Sequence, residues 1–252
     1  MTRRTQIWAS GGGVQSAAIA ALIVQGRIKP DLAVIVDTER EQSTTWKYMD
    51  GVISPALASV GVVLHRVKKS DFATVDLFGG AGGNSLLIPA FTDLSGDIGK
   101  LPTFCSNEWK TRVMQRWATA QGVRQADTWL GISVDEMGRV QADKGNKWKT
   151  RYPLIEQAMN RSECVGLVKR MGWPEPPRSS CYMCPNHTAH EWRDIRDNKP
   201  NDWMAAVAFD AQIRRTDKNA YVHHDGVPLD EADIDDKNGV LFGHCDTGMC
   251  FT

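Results

Sequence analysis

Apolar positions along the first half of the chain alternate between two rhythms. Gln6 to Ala9 is a short apolar strand, followed by a glycine turn, Gly11-Gly12-Gly13. Ser16 to Gln25, with Ala and Leu throughout, predicts a helix. Leu32-Ala33-Val34-Ile35-Val36 is a continuous apolar run, the pattern of a parallel strand buried on both faces. Ser43 to Ser59 predicts a second helix, interrupted near Pro55, and Val62 to Val67 a third strand. This order predicts an α/β fold: a doubly wound, mostly parallel, Rossmann-like sheet with helices on both faces.

Further along, Glu108 to Gln121 predicts a helix and Thr128 to Ser133 a fourth strand. Gly79 to Asn84 is glycine-rich but fits no strand–turn–helix pattern and reads as a loop. Arg161 to Met171 predicts a helix ended by Gly172, and Pro174-Glu175-Pro176-Pro177 a stiff connector. His190 to Asn198 and Trp203 to Arg214 read as short helices. The expected organisation is an α/β core over residues 1–155 and a small, helical, cysteine-bearing C-terminal lobe over 156–252.

Composition changes this picture little. Of 252 residues, 42% are hydrophobic and 24% charged, enough for an ordinary core and too apolar for a disordered chain. Thirty basic residues balance thirty acidic ones, so no generic attraction to nucleic acid or to an anionic membrane is expected. The N-terminal residues lead directly into a strand with no signal-type apolar segment, and the run Ala17 to Val24 is too short to span a bilayer. The expectation is a soluble, cytoplasmic protein.

Chemistry enters at the first glycine turn. A strand, then Ser10-Gly11-Gly12-Gly13-Val14-Gln15-Ser16, then a helix puts free N–H groups and a helix dipole where a phosphate can sit. A plain strand-to-helix turn is the alternative. Neither a Walker loop nor a Gly-x-Gly-x-x-Gly fingerprint is present. Asp37 ends the second strand, where open α/β sheets bind ligands, and a helix cap or turn is its alternative role. The six cysteines lie at 105, 164, 181, 184, 245 and 250. In a cytosolic chain the Cys181-x-x-Cys184 pair points to metal or redox chemistry rather than to a disulfide. Cys164, inside a predicted helix, reads as a small buried hydrophobe.

The glycine turn resembles the PP-loop, Ser-Gly-Gly-x-Asp-Ser, of the ATP pyrophosphatases and phosphoadenylyl-sulfate (PAPS) reductases. Gln15 stands where that family has aspartate and Gly11 where it has its first serine. Further likenesses follow in order: Val36-Asp37-Thr38-Glu39, Cys105 to Lys110, Gly131 to Arg139, Tyr152-Pro153-Leu154 and Cys181-Tyr182-Met183-Cys184-Pro185. The cysteine-bearing tail is similar to that of phage-type members.

The resemblance implies the fold of the adenine nucleotide alpha-hydrolases. It also implies ATP or PAPS bound with Mg²⁺ by Ser10, Gly11, Gly12, Gly13, Gln15, Ser16 and Asp37, with Lys110 and Arg139 as catalytic cations. Asp135 and Glu136 are expected to orient Arg139 or to bind Mg²⁺. A [4Fe–4S] cluster on Cys105, Cys181 and Cys184 is implied, with one iron open or a fourth ligand from Cys250, Cys245 or Cys164; Zn²⁺ with His187 or His244 is the alternative. Cys245 is the nucleophile candidate.

The activity implied is sulfur transfer. ATP adenylylates a substrate oxygen, pyrophosphate leaves, and sulfur displaces AMP. Reduction of PAPS or adenylyl sulfate, and nucleotide binding without turnover, are the alternatives. The partners expected are the nucleotide, a small-molecule or nucleobase acceptor, a sulfur-donor protein and a second copy of the chain.

Overall fold

The structure, a computed structural model, describes residues 3–79, 85–93, 96–143 and 145–235. Cys245, Cys250 and His244, with residues 80–84 of the second glycine-rich stretch, lie outside the described residues. The chain divides into two compact units. Among the described residues, one takes those up to Ala73 together with Trp109–Ser179, the other Thr74–Glu108 and residues 180–235.

The first unit opens with β1 (Thr5–Ser10), α1 (Val14–Val24) and β2 (Leu32–Asp37). Next comes α2 (Ser43–Tyr48), which passes through a π-helical turn, Met49–Ile53, into α3 (Ser54–Ala58). β3 (Leu64–Lys68) and α4 (Lys69–Phe72) complete this stretch. The second unit then contributes β4 (Phe78–Gly79), β5 (Ser85–Leu86), β6 (Phe91–Asp93) and β7 (Ile98–Lys100). A second π-helical turn, Ser106–Thr111, leads into α5 (Arg112–Ala120). β8 (Ala126–Trp129), a 3-10 helix (Val134–Arg139), β9 (Trp148–Arg151), α6 (Pro153–Glu156) and α7 (Arg161–Arg170) follow. The described chain ends through α8 (Ala189–Asn198), α9 (Pro200–Thr216) and β10 (Ala220–Tyr221).

In the first unit five strands lie in the order β3-β2-β1-β8-β9, every pair parallel. The expected doubly wound, Rossmann-like α/β sheet is what forms. The strand period of two separates two cores. Trp8, Ala33 and Ile35 pack on one face with α1, α3 and α7, while Ile7, Val34, Val36 and Val67 pack on the other with α5. α1 is apolar almost all round because the sheet and α7 enclose it. Cys164, Leu167 and Val168 of α7 belong to that same core, so residues 161–170 pack with the sheet.

Three local outcomes differ from the sequence pattern. The second helix widens at the π-helical turn before Pro55 and resumes with Pro55 in the first turn of α3, where its missing N–H costs nothing. The fourth strand ends at Trp129, because Gly131 to Ser133 form the loop and cap that start the 3-10 helix. β9 escaped detection because Trp148-Lys149-Thr150-Arg151 is an edge strand paired only with β8, with little apolar signal.

The second unit carries an antiparallel sheet, β10-β6-β7, a two-stranded pair, β4-β5, and helices α8 and α9. Thr188 and Glu191 form a capping box that starts α8. Trp192, fully buried, meets the His187 ring edge-on on one side and Trp203 of α9 on another. Among the described residues no helix is long and apolar enough to cross a membrane.

Candidate active site

β1 is the central strand, and the strand order reverses between β1 and β8. In open α/β sheets this switch point is where ligands bind, beyond the carboxyl ends of the strands. The chain turns there through Gly11-Gly12-Gly13. Gly12 holds φ at +80°, and a Cβ on it would sit 2.9 Å from Thr45 Cγ2 and 3.1 Å from Ser179 Oγ. Only glycine meets both demands. Inside the loop, Gly11 N–H donates to Ser16 Oγ at 2.8 Å and Gly12 N–H to Ser10 Oγ at 3.3 Å. Ser10 and Ser16 therefore shape the loop through their hydroxyls. Gly13, the N-cap residue of α1, has no side chain to cap it, so the first turn presents its N–H groups and the positive end of its dipole at the switch point.

The segment after β8 closes on this loop. A Cβ on Gly131 would lie 3.3 Å from Gln15 Cβ and 3.4 Å from the Ser16 nitrogen, a requirement for glycine that the sequence did not reveal. Gln15 donates from Nε2 to Glu136 at 3.0 Å, and Glu136 accepts from Arg139 at 2.8 Å. Gln15, Glu136 and Arg139 thus form one line. The neutral amide at position 15 fits because it donates to Glu136, whereas an aspartate there would set two carboxylates face to face. Asp135 points elsewhere and accepts the Arg161 N–H at 3.0 Å. Burial raises its pKa, but hydrogen bonds from Ser133, its own backbone and Arg161 outweigh this and hold the carboxyl below the usual range.

On the β2 side, Asp37 Oδ2 receives both Nε and an Nη of Arg66, at 2.9 and 2.7 Å, while Oδ1 accepts the Glu39 N–H at 2.7 Å. Arg66 also lies over the Trp46 ring, 3.4 Å from its centroid. A carboxylate oxygen carries two lone pairs, so these hydrogen bonds orient Asp37 and leave Oδ1 able to meet a hard cation as well.

The sequence missed the partner of Lys110. Its Nζ pairs with Glu41 at 3.1 Å, and both side chains are under a tenth exposed. Glu41 also accepts a 3.5 Å hydrogen bond from Ser179, the residue that touches Gly12. Beside Lys110, the Trp109 ring has Arg40 and Lys69 at 5.0 and 5.1 Å from its centroid. Thr44 and Thr45, at the start of α2, carry hydroxyls that are buried with no hydrogen-bond partner. An unpaired buried hydroxyl costs stability and calls for an explanation. Thr45 packs its methyl Cγ2 against the glycine loop.

In the second unit Cys105, Cys181 and Cys184 are half-buried and form no disulfide among the described residues. Cys184 N–H bonds to the Cys181 carbonyl at 3.1 Å, closing the turn that carries the pair. His187 Nε2 donates to the Cys181 carbonyl at 2.9 Å, which orients the ring beside the cysteine pair. Among the described residues no three of these groups converge closely enough to share a single ion. A four-iron cluster spaces its thiolates more widely and is not subject to that limit. Cys164, fully buried in the first unit, has its thiol pushed up to about 12 by burial, which suits a core residue and not a ligand.

No family model matches the chain, and no curated protein matches it. Among solved structures 25 chains match. One is NMN synthetase from Francisella tularensis, at 15% identity and a TM-score of 0.38, covering 68% of this chain and 63% of that one. Another is the U34-tRNA thiolase NcsA from Methanococcus maripaludis with its [4Fe-4S] cluster, at 13% identity and a TM-score of 0.42, covering 85% of this chain and 72% of that one. The chain thus spans less than two thirds of the NMN synthetase it matches. Likeness of this degree carries no argument about substrate, so function is argued from the chain's own residues.

Proposed function

We propose that the chain is an adenine-nucleotide-dependent sulfur-transfer enzyme that binds ATP on the Gly11–Ser16 loop. The observation that carries this reading is a left-handed Gly12 at the switch point packed against the methyl group of Thr45, a residue whose hydroxyl is buried without a partner. The α1 N-terminus supports the phosphates through its N–H groups. Lys110, held by Glu41, and Arg139, held by Glu136, are cations fixed before substrate arrives. Such fixed charge stabilises the negative charge that develops as the substrate oxygen attacks the α-phosphorus and pyrophosphate leaves it. Asp37, oriented by Arg66, would hold Mg²⁺ against the phosphates when the ion is bound.

Cys105, Cys181 and Cys184 suit a soft-metal centre, and their thiolates would hold a [4Fe–4S] cluster, with Cys250 as the fourth donor. When bound, that cluster would carry the sulfur that displaces AMP. Cys245 is proposed as an alternative sulfur-bearing thiol. Sulfite release from PAPS with a thiol donor would instead establish a reductase.

The test is Thr45→Val, which keeps the volume and removes the hydroxyl. Thermal stability is expected to hold or rise, since an unpaired buried polar atom is removed. ATP affinity and pyrophosphate release are expected to fall about tenfold, the loss of one hydrogen bond to a charged group. Unchanged ATP binding in this variant would overturn the assignment of the loop.

A further inference from the structure

Just beyond β10, three consecutive residues set two imidazoles against one carboxylate. His223 Nδ1 lies 3.3 Å from one oxygen of Asp225, and His224 Nδ1 lies 2.6 Å from the other. The two rings are 4.3 Å apart and tilted by 32°. One ligand atom from each residue falls within 4.8 Å of the other two, and among the described residues this is the only such group of histidine, cysteine and carboxylate side chains.

The backbone fixes this arrangement from both sides. Gly226 N–H bonds to the His223 carbonyl at 3.2 Å and closes a turn, with Gly226 at φ +66°. Asp210, fully buried on α9, accepts the Val222 N–H at 2.9 Å before the turn and the Leu229 N–H at 3.0 Å after it. The donors are thus held in place before any ion arrives, as a binding site requires.

His223 is 1% exposed, and its Nε2 is buried with no hydrogen-bond partner. The Asp225 N–H approaches Nδ1 at 3.3 Å, and the same nitrogen faces the Asp225 carboxylate at 3.3 Å, so the ring nitrogen that would hold an ion is already aimed at the carboxylate that would share it.

We propose that His223, His224 and Asp225 form a binding site for a divalent transition-metal ion of the Zn²⁺ class. Two imidazoles and one carboxylate are the donors that borderline-soft ions prefer, whereas Mg²⁺ and Ca²⁺ prefer oxygen alone. The His224 and Asp225 side chains are 21% and 39% exposed, which gives an ion a way in and leaves positions for water. Asp233 adds a further negative charge acting on His223.

The test is calorimetric titration of Zn²⁺ into the full chain, repeated on His224→Gln, Asp225→Asn and Cys181→Ser. The two partly exposed ligand positions are chosen because replacing the buried His223 risks misfolding. One zinc equivalent is expected to weaken roughly tenfold or more in His224→Gln and Asp225→Asn. That equivalent should persist in Cys181→Ser, and Mg²⁺ should produce no matching heat. Zinc binding that is unchanged in both ligand variants, or that disappears entirely with Cys181→Ser, would overturn the proposal.

Discussion

Lys110 and Glu41 show how a cation at a site can be structural and functional at once. The pair is buried, so removing one partner leaves an uncompensated charge. Lys110→Met is expected to lose about 3–5 kcal/mol of stability, read from urea midpoints. Replacing both, as Lys110→Met with Glu41→Leu, should restore most of that stability while pyrophosphate release stays lost. If the double variant turns over ATP like wild type, Lys110 is only a structural cation. Gly12 works through backbone shape. Gly12→Ala forces a left-handed φ on a side chain that also meets Thr45. A loss of about 1–3 kcal/mol is expected, together with loss of nucleotide binding. Wild-type stability and binding would show that the loop relaxes freely.

At the scale of elements, two carboxylates, Asp127 and the fully buried Asp210, set how chain segments meet. Asp127 on β8 joins β1 through Arg4 and Gln6, tying the two strands together at their N-terminal ends. Asp210 on α9 holds Val222, Leu229 and Arg214, and so pins the stretch around β10. Asp210→Ala strands two backbone donors in a buried place, at about 1–3 kcal/mol each. Amide exchange at Val222 and Leu229 should accelerate in this variant. Protection equal to wild type would mean that other contacts hold the segment. The π-helical turn Ser106–Thr111 has a comparable role, since it sets Trp109 and Lys110 in their buried positions.

For the whole molecule, acid exposes the balance of charges. Burial raises the Asp127 pKa, but hydrogen bonds from Arg4 and Gln6 and the charges of Arg4 and Arg151 outweigh it, and the carboxyl lies below its ordinary value. A carboxylate depressed in the folded state stabilises the fold at pH above its unfolded pKa, about 3.9. That contribution fades as pH falls through the folded value. Asp127→Asn should therefore narrow the stability difference between pH 7 and pH 3, measured by urea unfolding. Equal differences in wild type and variant would rule out this source.

Much of this protein was legible in its residues. The apolar runs of β1 and β2, the glycine turn and the order of elements determined a parallel, doubly wound sheet, because burial on both faces demands continuous apolar strands. Gly11, Gly12 and Gly13 were legible as a loop for the same local reason: a tight turn before a helix needs glycine. Partnership was not legible. Glu41 with Lys110, Arg66 with Asp37, Glu136 with Gln15 and Asp210 with Val222 join positions whose spacing carries no period. Which charge neutralises which depends on strand order and helix packing, and these exist only in the folded chain. The same holds for His223, His224 and Asp225. Their adjacency was plain in the sequence, but the burial of His223 and the turn that sets both rings against Asp225 were decided by tertiary structure alone.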